Sequence, residues 1–108
     1  MLYGWGRFDY RKPGAFTLPI AVDAQCEQVF TNIEIALLSQ GASWKNVVAF
    51  TTYVVGAENL AVIGAYRARR FPTLFGDGSY PPNTLLIVER LAQPECKIEI
   101  QTIAALDK

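Results

Sequence analysis

Nine consecutive residues from Val47 to Val55, Val-Val-Ala-Phe-Thr-Thr-Tyr-Val-Val, leave little choice of backbone conformation. Side chains of this β-branched and aromatic kind fit a pleated sheet, and an apolar pattern on both faces marks a central strand. Before this run, Cys26, Val29, Phe30, Ile33, Ala36 and Leu37 recur at three- and four-residue steps between Asp23 and Gln40, which predicts an amphipathic helix. Asp23 is placed to cap its start, and Gly41 follows its last turn, where a left-handed residue commonly closes a helix. After the run, Glu58 to Arg70 sets Leu60, Ile63 and either Tyr66 or Arg67 near one line, and Pro72 is expected to end that second helix. Gly64 within it costs about 1 kcal/mol against alanine, for which close approach of another backbone is one reason. Arg67, Arg69 and Arg70 at the expected helix end complement the macrodipole and meet solvent.

Between Phe71 and Asn83, the residues Pro72, Gly76, Gly78, Pro81 and Pro82 read as a loop. Two strands follow, Thr84 to Leu91 and Lys97 to Leu106, joined by Ala92 to Cys96. The last one alternates, with Ile98, Ile100, Thr102 and Ala104 on one face and Glu99, Gln101 and Ile103 on the other. At the N-terminus, Tyr3 to Tyr10 and Ala15 to Ile20 read as two strands around a turn at Arg11 to Gly14. The expected fold class is α+β: a single domain over residues 1–108, with a single-layer mixed β-sheet and two helices packed on one face. The other face carries apolar side chains and makes a poor solvent surface, so symmetric self-association is expected.

Composition narrows the chemistry. Ten Lys and Arg balance ten Asp and Glu, so the formal net charge is zero, and the broad attraction that phosphate backbones require is missing. Nucleic acid is not an expected partner. The chain contains no histidine, which excludes Ser-His-Asp and Cys-His nucleophile systems, histidine-containing zinc sites and histidine acid-base catalysis. Cys26 and Cys96 are too few for a disulfide framework and too far apart for a CxxC motif, and read as small buried thiols in a reducing compartment. Neither a signal pattern nor an apolar run of spanning length is present, so a cytoplasmic protein without membrane contact is expected. Gly4-Trp5-Gly6 lacks the third glycine and the strand-to-helix setting of a dinucleotide loop, and no cofactor or metal is expected.

Several segments together resemble the YjgF/RidA family of reactive-intermediate imine deaminases. They are Ile20-Ala21-Val22-Asp23, Gln28-Val29-Phe30-Thr31-Asn32-Ile33, Gly41-Ala42-Ser43-Trp44, Val47 through Tyr53, and Lys97-Ile98-Glu99-Ile100 followed by Ile103-Ala104. The resemblance runs from about Ile20 to Leu106 in collinear order. It implies a chorismate-mutase-like fold assembled as a homotrimer around a central β-barrel, with small-molecule clefts at the subunit interfaces.

The resemblance also implies site residues. In deaminating members an arginine in a Pro-Ala-Arg-Ser type motif holds the carboxylate of a 2-imino acid, and a glutamate on the final strand positions or activates water. Here the matching stretch is Pro81-Pro82-Asn83-Thr84, so Asn83 stands where that arginine would be and the bidentate grip of a guanidinium is lost from this position. Amino-acid-derived imines are expected to bind poorly. Leu85 replaces the cysteine that commonly follows by two residues, whereas Glu99 matches the catalytic glutamate. The Ser-Gly-Gln ligand-contact segment appears as Thr17-Leu18-Pro19, with one backbone donor fewer at Pro19, and Tyr3 is the candidate for the family's N-terminal pocket tyrosine.

Each residue also has a plainer explanation. Glu99 is either a general base toward water, its pKa raised by a partly buried cleft, or a polar sheet residue paired with a cation. Asn83 either reads a neutral carbonyl or amide or satisfies its own turn. Trp5, Phe8, Phe16, Trp44, Tyr53, Phe71, Phe75 and Tyr80 either line an interface cleft or pack the core. Two functions compete: a cofactor-free imine or enamine deaminase with an altered substrate range, and a noncatalytic metabolite-binding trimer. RNA cleavage, an activity sometimes attached to this family's name, is disfavoured by the zero net charge, the missing histidine and the absence of a basic stripe.

Overall fold

A computed structural model describes residues 2–6, 21–76 and 78–106. They form strand β1 (Leu2–Gly6), helix α1 (Val22–Ser39), strand β2 (Val47–Val55), helix α2 (Leu60–Phe75), strand β3 (Asn83–Val88) and strand β4 (Ile98–Ala104), with 3-10 turns at Trp44–Asn46 and Ala57–Asn59. The strands make one mixed sheet in the order β1-β4-β2-β3. Strand β4 is antiparallel to β1 and β2, and β3 runs parallel to β2. The β-branched run is therefore central, as its composition requires. The strand expected over Ala15 to Ile20 and the turn before it lie outside the described residues.

The apolar stripe of α1 is buried, and the Phe30 ring gathers the core around it. Its centroid lies 6.0 Å from Trp44, 6.3 Å from Phe50, 5.6 Å from Tyr66 and 5.7 Å from Phe71. Both helices thus reach Phe50 from the same side of the sheet. Asp23 is not the cap: Ala21 holds that position without a side-chain bond, and Asp23 sits inside the first turn, where a carboxylate favours the positive end of the dipole. At the other end Gly41 adopts φ 70°. Its N–H donates to Leu38 O at 3.0 Å while Ala42 N–H donates to Leu37 O at 2.9 Å, the paired bonds of a Schellman closure.

Pro72 does not end α2, which continues to Phe75. A proline near a helix end forfeits few bonds, and the last turn is held by aromatic packing: Phe71 and Phe75 lie 5.3 Å apart, and 6.0 and 6.2 Å from Phe50. Gly76, at φ 72°, then stops the helix. The arginines consequently lie inside the helix, with no basic residue in its last turn, and the macrodipole does not explain them. Gly64 is exposed, and an added Cβ there would meet nothing within 4 Å, so no neighbouring backbone demands it.

Pairing fixes which side chains share a face. Phe50, Thr52 and Val54 of β2 and Ile98, Ile100, Thr102 and Ala104 of β4 are buried beneath the helices. Glu99, Gln101 and Ile103 stand half-buried on the opposite face. Edge strand β3 is uncovered on both sides, with Leu85 and Ile87 on the helix side 37% and 51% exposed and Leu86 on the other 45% exposed. Among the described residues no helix is long and apolar enough to cross a membrane. Of the two thiols, Cys26 is buried as expected, whereas Cys96 in the loop before β4 is half-buried.

Candidate functional site

Asn83 opens β3 opposite Phe50 of β2, so its side chain shares the helix-covered face. There its Oδ1 accepts a hydrogen bond of 2.7 Å from Oγ1 of the buried Thr52. The neighbouring strand, not its own turn, holds this amide through its oxygen. Leu85 follows on the same face of the edge strand.

Glu99 lies opposite Tyr53 in the β2–β4 pairing and therefore on the other face of the sheet. Its strand enters through a clamp that the sequence reading missed. Gln25, a buried residue of α1, accepts from Lys97 N–H at 2.8 Å through Oε1 and donates to Glu95 O at 3.0 Å through Nε2. Both polar ends of a buried amide are thus satisfied. The available signal was its place beside Cys26 on the edge of the apolar stripe.

Asn83 and Glu99 accordingly project from opposite faces of the sheet in one chain. Tyr3 is registered opposite Ile103, and Thr17 lies outside the described residues. Among the described residues, two open clefts can be traced. One of about 480 Å³ runs between Trp44, Val47, Val48, Leu74, Phe75 and the Ser79 to Pro82 segment, with Lys45 at its rim. The other, about 320 Å³, lies among Gln40 to Ser43, Lys45, Asn46 and Leu106. Neither is lined by Asn83, Leu85 or Glu99. Of the expected cleft aromatics, Trp44, Phe75 and Tyr80 border the larger opening, while Phe71 belongs to the core.

The perturbed ionisable groups belong mainly to the helix layer. Burial, reinforced by Asp23, pushes the Cys26 thiol up to about 11, which leaves it protonated and unreactive at neutral pH. Burial also holds the Tyr66 phenol above its ordinary range, helped by its 2.5 Å hydrogen bond to Glu27 Oε1. Arg70 approaches the same carboxylate at 4.0 Å, and Arg69 lies 5.2 Å from the Tyr66 ring.

The family model described as Endoribonuclease L-PSP matches residues 2–106. Among solved structures, the YjgF gene product of E. coli is 26% identical, with 85% of this chain and 70% of that one covered and a TM-score of 0.75. RidA from the Antarctic bacterium Psychrobacter sp. PAMC 21119 is 24% identical, with 98% and 78% covered and a TM-score of 0.75. E. coli TdcF, whose structure holds bound serine, is 22% identical, with 88% and 72% covered and a TM-score of 0.77. No curated protein sequence matches the chain. The sheet order, the helix layer and a family match over nearly all of its length establish that this chain belongs to the YjgF/RidA (Ribonuc_L-PSP) family.

Proposed function

We propose that the protein is a RidA-like homotrimer whose sheets close a central barrel, and that it hydrolyses imine or enamine intermediates in clefts between subunits. The observation that carries this reading is the placement of Glu99 and Asn83 on opposite faces of one sheet, together with the uncovered edge strand that carries Asn83. Such residues complete one site when one protomer supplies the glutamate and the next supplies the β3 edge. Apolar surface at Leu85, Leu86 and Ile87 supports that assembly, because burying it is favourable by about 25 cal/mol per Å².

In this mechanism Glu99 takes a proton from water as the water oxygen bonds to the C=N carbon. It delivers that proton to nitrogen to give a carbinolamine, then carries the hydroxyl proton to nitrogen as the C–N bond breaks and the C=O bond forms, so that an imine and water become a carbonyl compound and ammonia. Asn83 offers its NH2 donors to a neutral oxygen of the substrate. Ammonia release from a neutral imine, measured on folded trimeric protein, tests this reading. Glu99→Gln should abolish turnover while leaving the fold intact, and undiminished turnover would remove Glu99 from the mechanism.

The asparagine at position 83 favours one second reading, a trimer that binds a metabolite without turning it over, as the serine held by TdcF illustrates for that protein. Ligand-dependent thermal stabilisation without ammonia release from any imine would select it. The ribonuclease name of the family finds little support in a chain of zero net charge without histidine.

A further inference from the structure

Strand β2 is irregular at its start. Val47 is registered opposite Ala104 and Ala49 opposite Ile103, so one step of β4 faces two of β2 and Val48 is the extra residue of a β-bulge. The bulge separates neighbours that would otherwise alternate regularly. Val47 is buried with the helix-covered core, whereas Val48 is 43% exposed and borders the cleft of about 480 Å³ beside the end of α2. Bulges recur where a strand re-aims a side chain next to a binding site, and the volume falls in the range of small-molecule pockets, about 300–1,000 Å³. Neither Asn83 nor Glu99 lines this cleft.

Its walls are held in place by the protein itself. Tyr80 is 44% exposed, yet its ring lies 5.3 Å from Phe71 and 6.0 Å from Phe75, which fixes an aromatic surface in an open position. Phe75 in turn meets Trp44 at 5.9 Å, edge to face. The Trp44 indole N–H donates to Glu34 Oε2 at 3.4 Å, so its polar end is already engaged. Pro81 and Pro82 have no N–H to give, and the Pro82 carbonyl accepts from Phe50 N–H at 2.9 Å. What these walls offer a ligand is ring and aliphatic surface. Among the described residues Lys45 is the one charged side chain that lines the cleft; it is exposed and has no carboxylate partner.

We propose that this cleft is a binding site for a flat aromatic monoanion, an aryl carboxylate or sulfonate, whose ring packs on Tyr80 while its charge pairs with Lys45. Aromatic walls hold a planar ring through offset and edge-on contacts that a saturated chain does not make. A lone ammonium without a carboxylate neighbour favours one negative charge and repels the cations that ring faces otherwise attract. Apolar walls also disfavour inorganic anions, which would lose their hydration without replacement donors. The site uses none of the residues of the proposed deaminase centre, so it stands or falls apart from that function.

Calorimetric titration of naphthalenesulfonate into the folded wild-type protein tests the site, with neutral naphthalenesulfonamide, aliphatic hexanesulfonate and inorganic sulfate as controls. One saturable site per chain is expected. Tyr80→Ala should weaken binding about tenfold, the loss that removing one stacked ring produces. Lys45→Gln should weaken it about three- to fivefold, as for an exposed ion pair. Both side chains are exposed, and thermal melts confirm that the variants fold. Glu99→Gln should bind like the wild type. Absence of saturable binding, undiminished binding in Tyr80→Ala or in Lys45→Gln, a control that binds as tightly as the aryl sulfonate, or loss of binding in Glu99→Gln would overturn the proposal.

Discussion

Thr52 Oγ1 on β2 donates a 2.7 Å hydrogen bond to Asn83 Oδ1 at the start of β3. The bond ties the first residue of an edge strand to the centre of the sheet and fixes the orientation of its amide. On the adjacent strand β4, Thr102 occupies the same face and is equally buried, yet among the described residues its Oγ1 has no hydrogen-bond partner. Valine has the shape of threonine without the hydroxyl, so the two sites should respond in opposite directions. Thr52→Val is expected to cost about 1 kcal/mol, whereas Thr102→Val should be neutral or stabilising by up to about 1 kcal/mol. Denaturant melts of the two variants measure the contrast directly.

Gln25 is a single side chain on which the entry to β4 depends. Replacing it with methionine keeps the volume but strips the partner from Lys97 N–H and Glu95 O. Leaving two backbone groups unsatisfied near the core should cost about 2–4 kcal/mol. Hydrogen exchange at the Lys97 amide is the local readout, and it should accelerate in the variant before exchange in α1 does.

Cys26 makes stability fall at alkaline pH. Its folded pKa, about 11, lies above the ordinary thiol value of 9.0, so the folded state holds this proton more tightly than the unfolded one. The contribution is complete below pH 9 and is lost as pH rises from there toward 11. Denaturation midpoints between pH 8 and pH 10 should therefore decline, and Cys26→Val should flatten that decline. A thiol reagent at pH 8 should reach Cys96 in the native protein and Cys26 only on unfolding.

The elements whose signal is local were legible in the sequence. Strand β2 occupies Val47–Val55 because a β-branched run suits a central strand, and the alternation of β4 matches its buried and half-buried faces. The end of α2 was not legible, because Pro72 carries a local stop signal that the Phe71, Phe75 and Trp44 cluster overrides. The candidate site was legible only as separate residues. Which faces Asn83 and Glu99 occupy depends on the pairing register of three strands, and register is set by tertiary packing.

The site proposed between protomers can be tested by mixing subunits. Glu99→Gln and Asn83→Ala homotrimers should each be impaired in ammonia release, one lacking the glutamate and the other the β3 amide. If each cleft draws Glu99 from one protomer and Asn83 from the next, random 1:1 reassembly makes about one junction in four intact. Activity should then recover to about a quarter of the wild-type value after subunit exchange. Recovery no greater than the average of the two parent trimers would contradict a site shared across the interface.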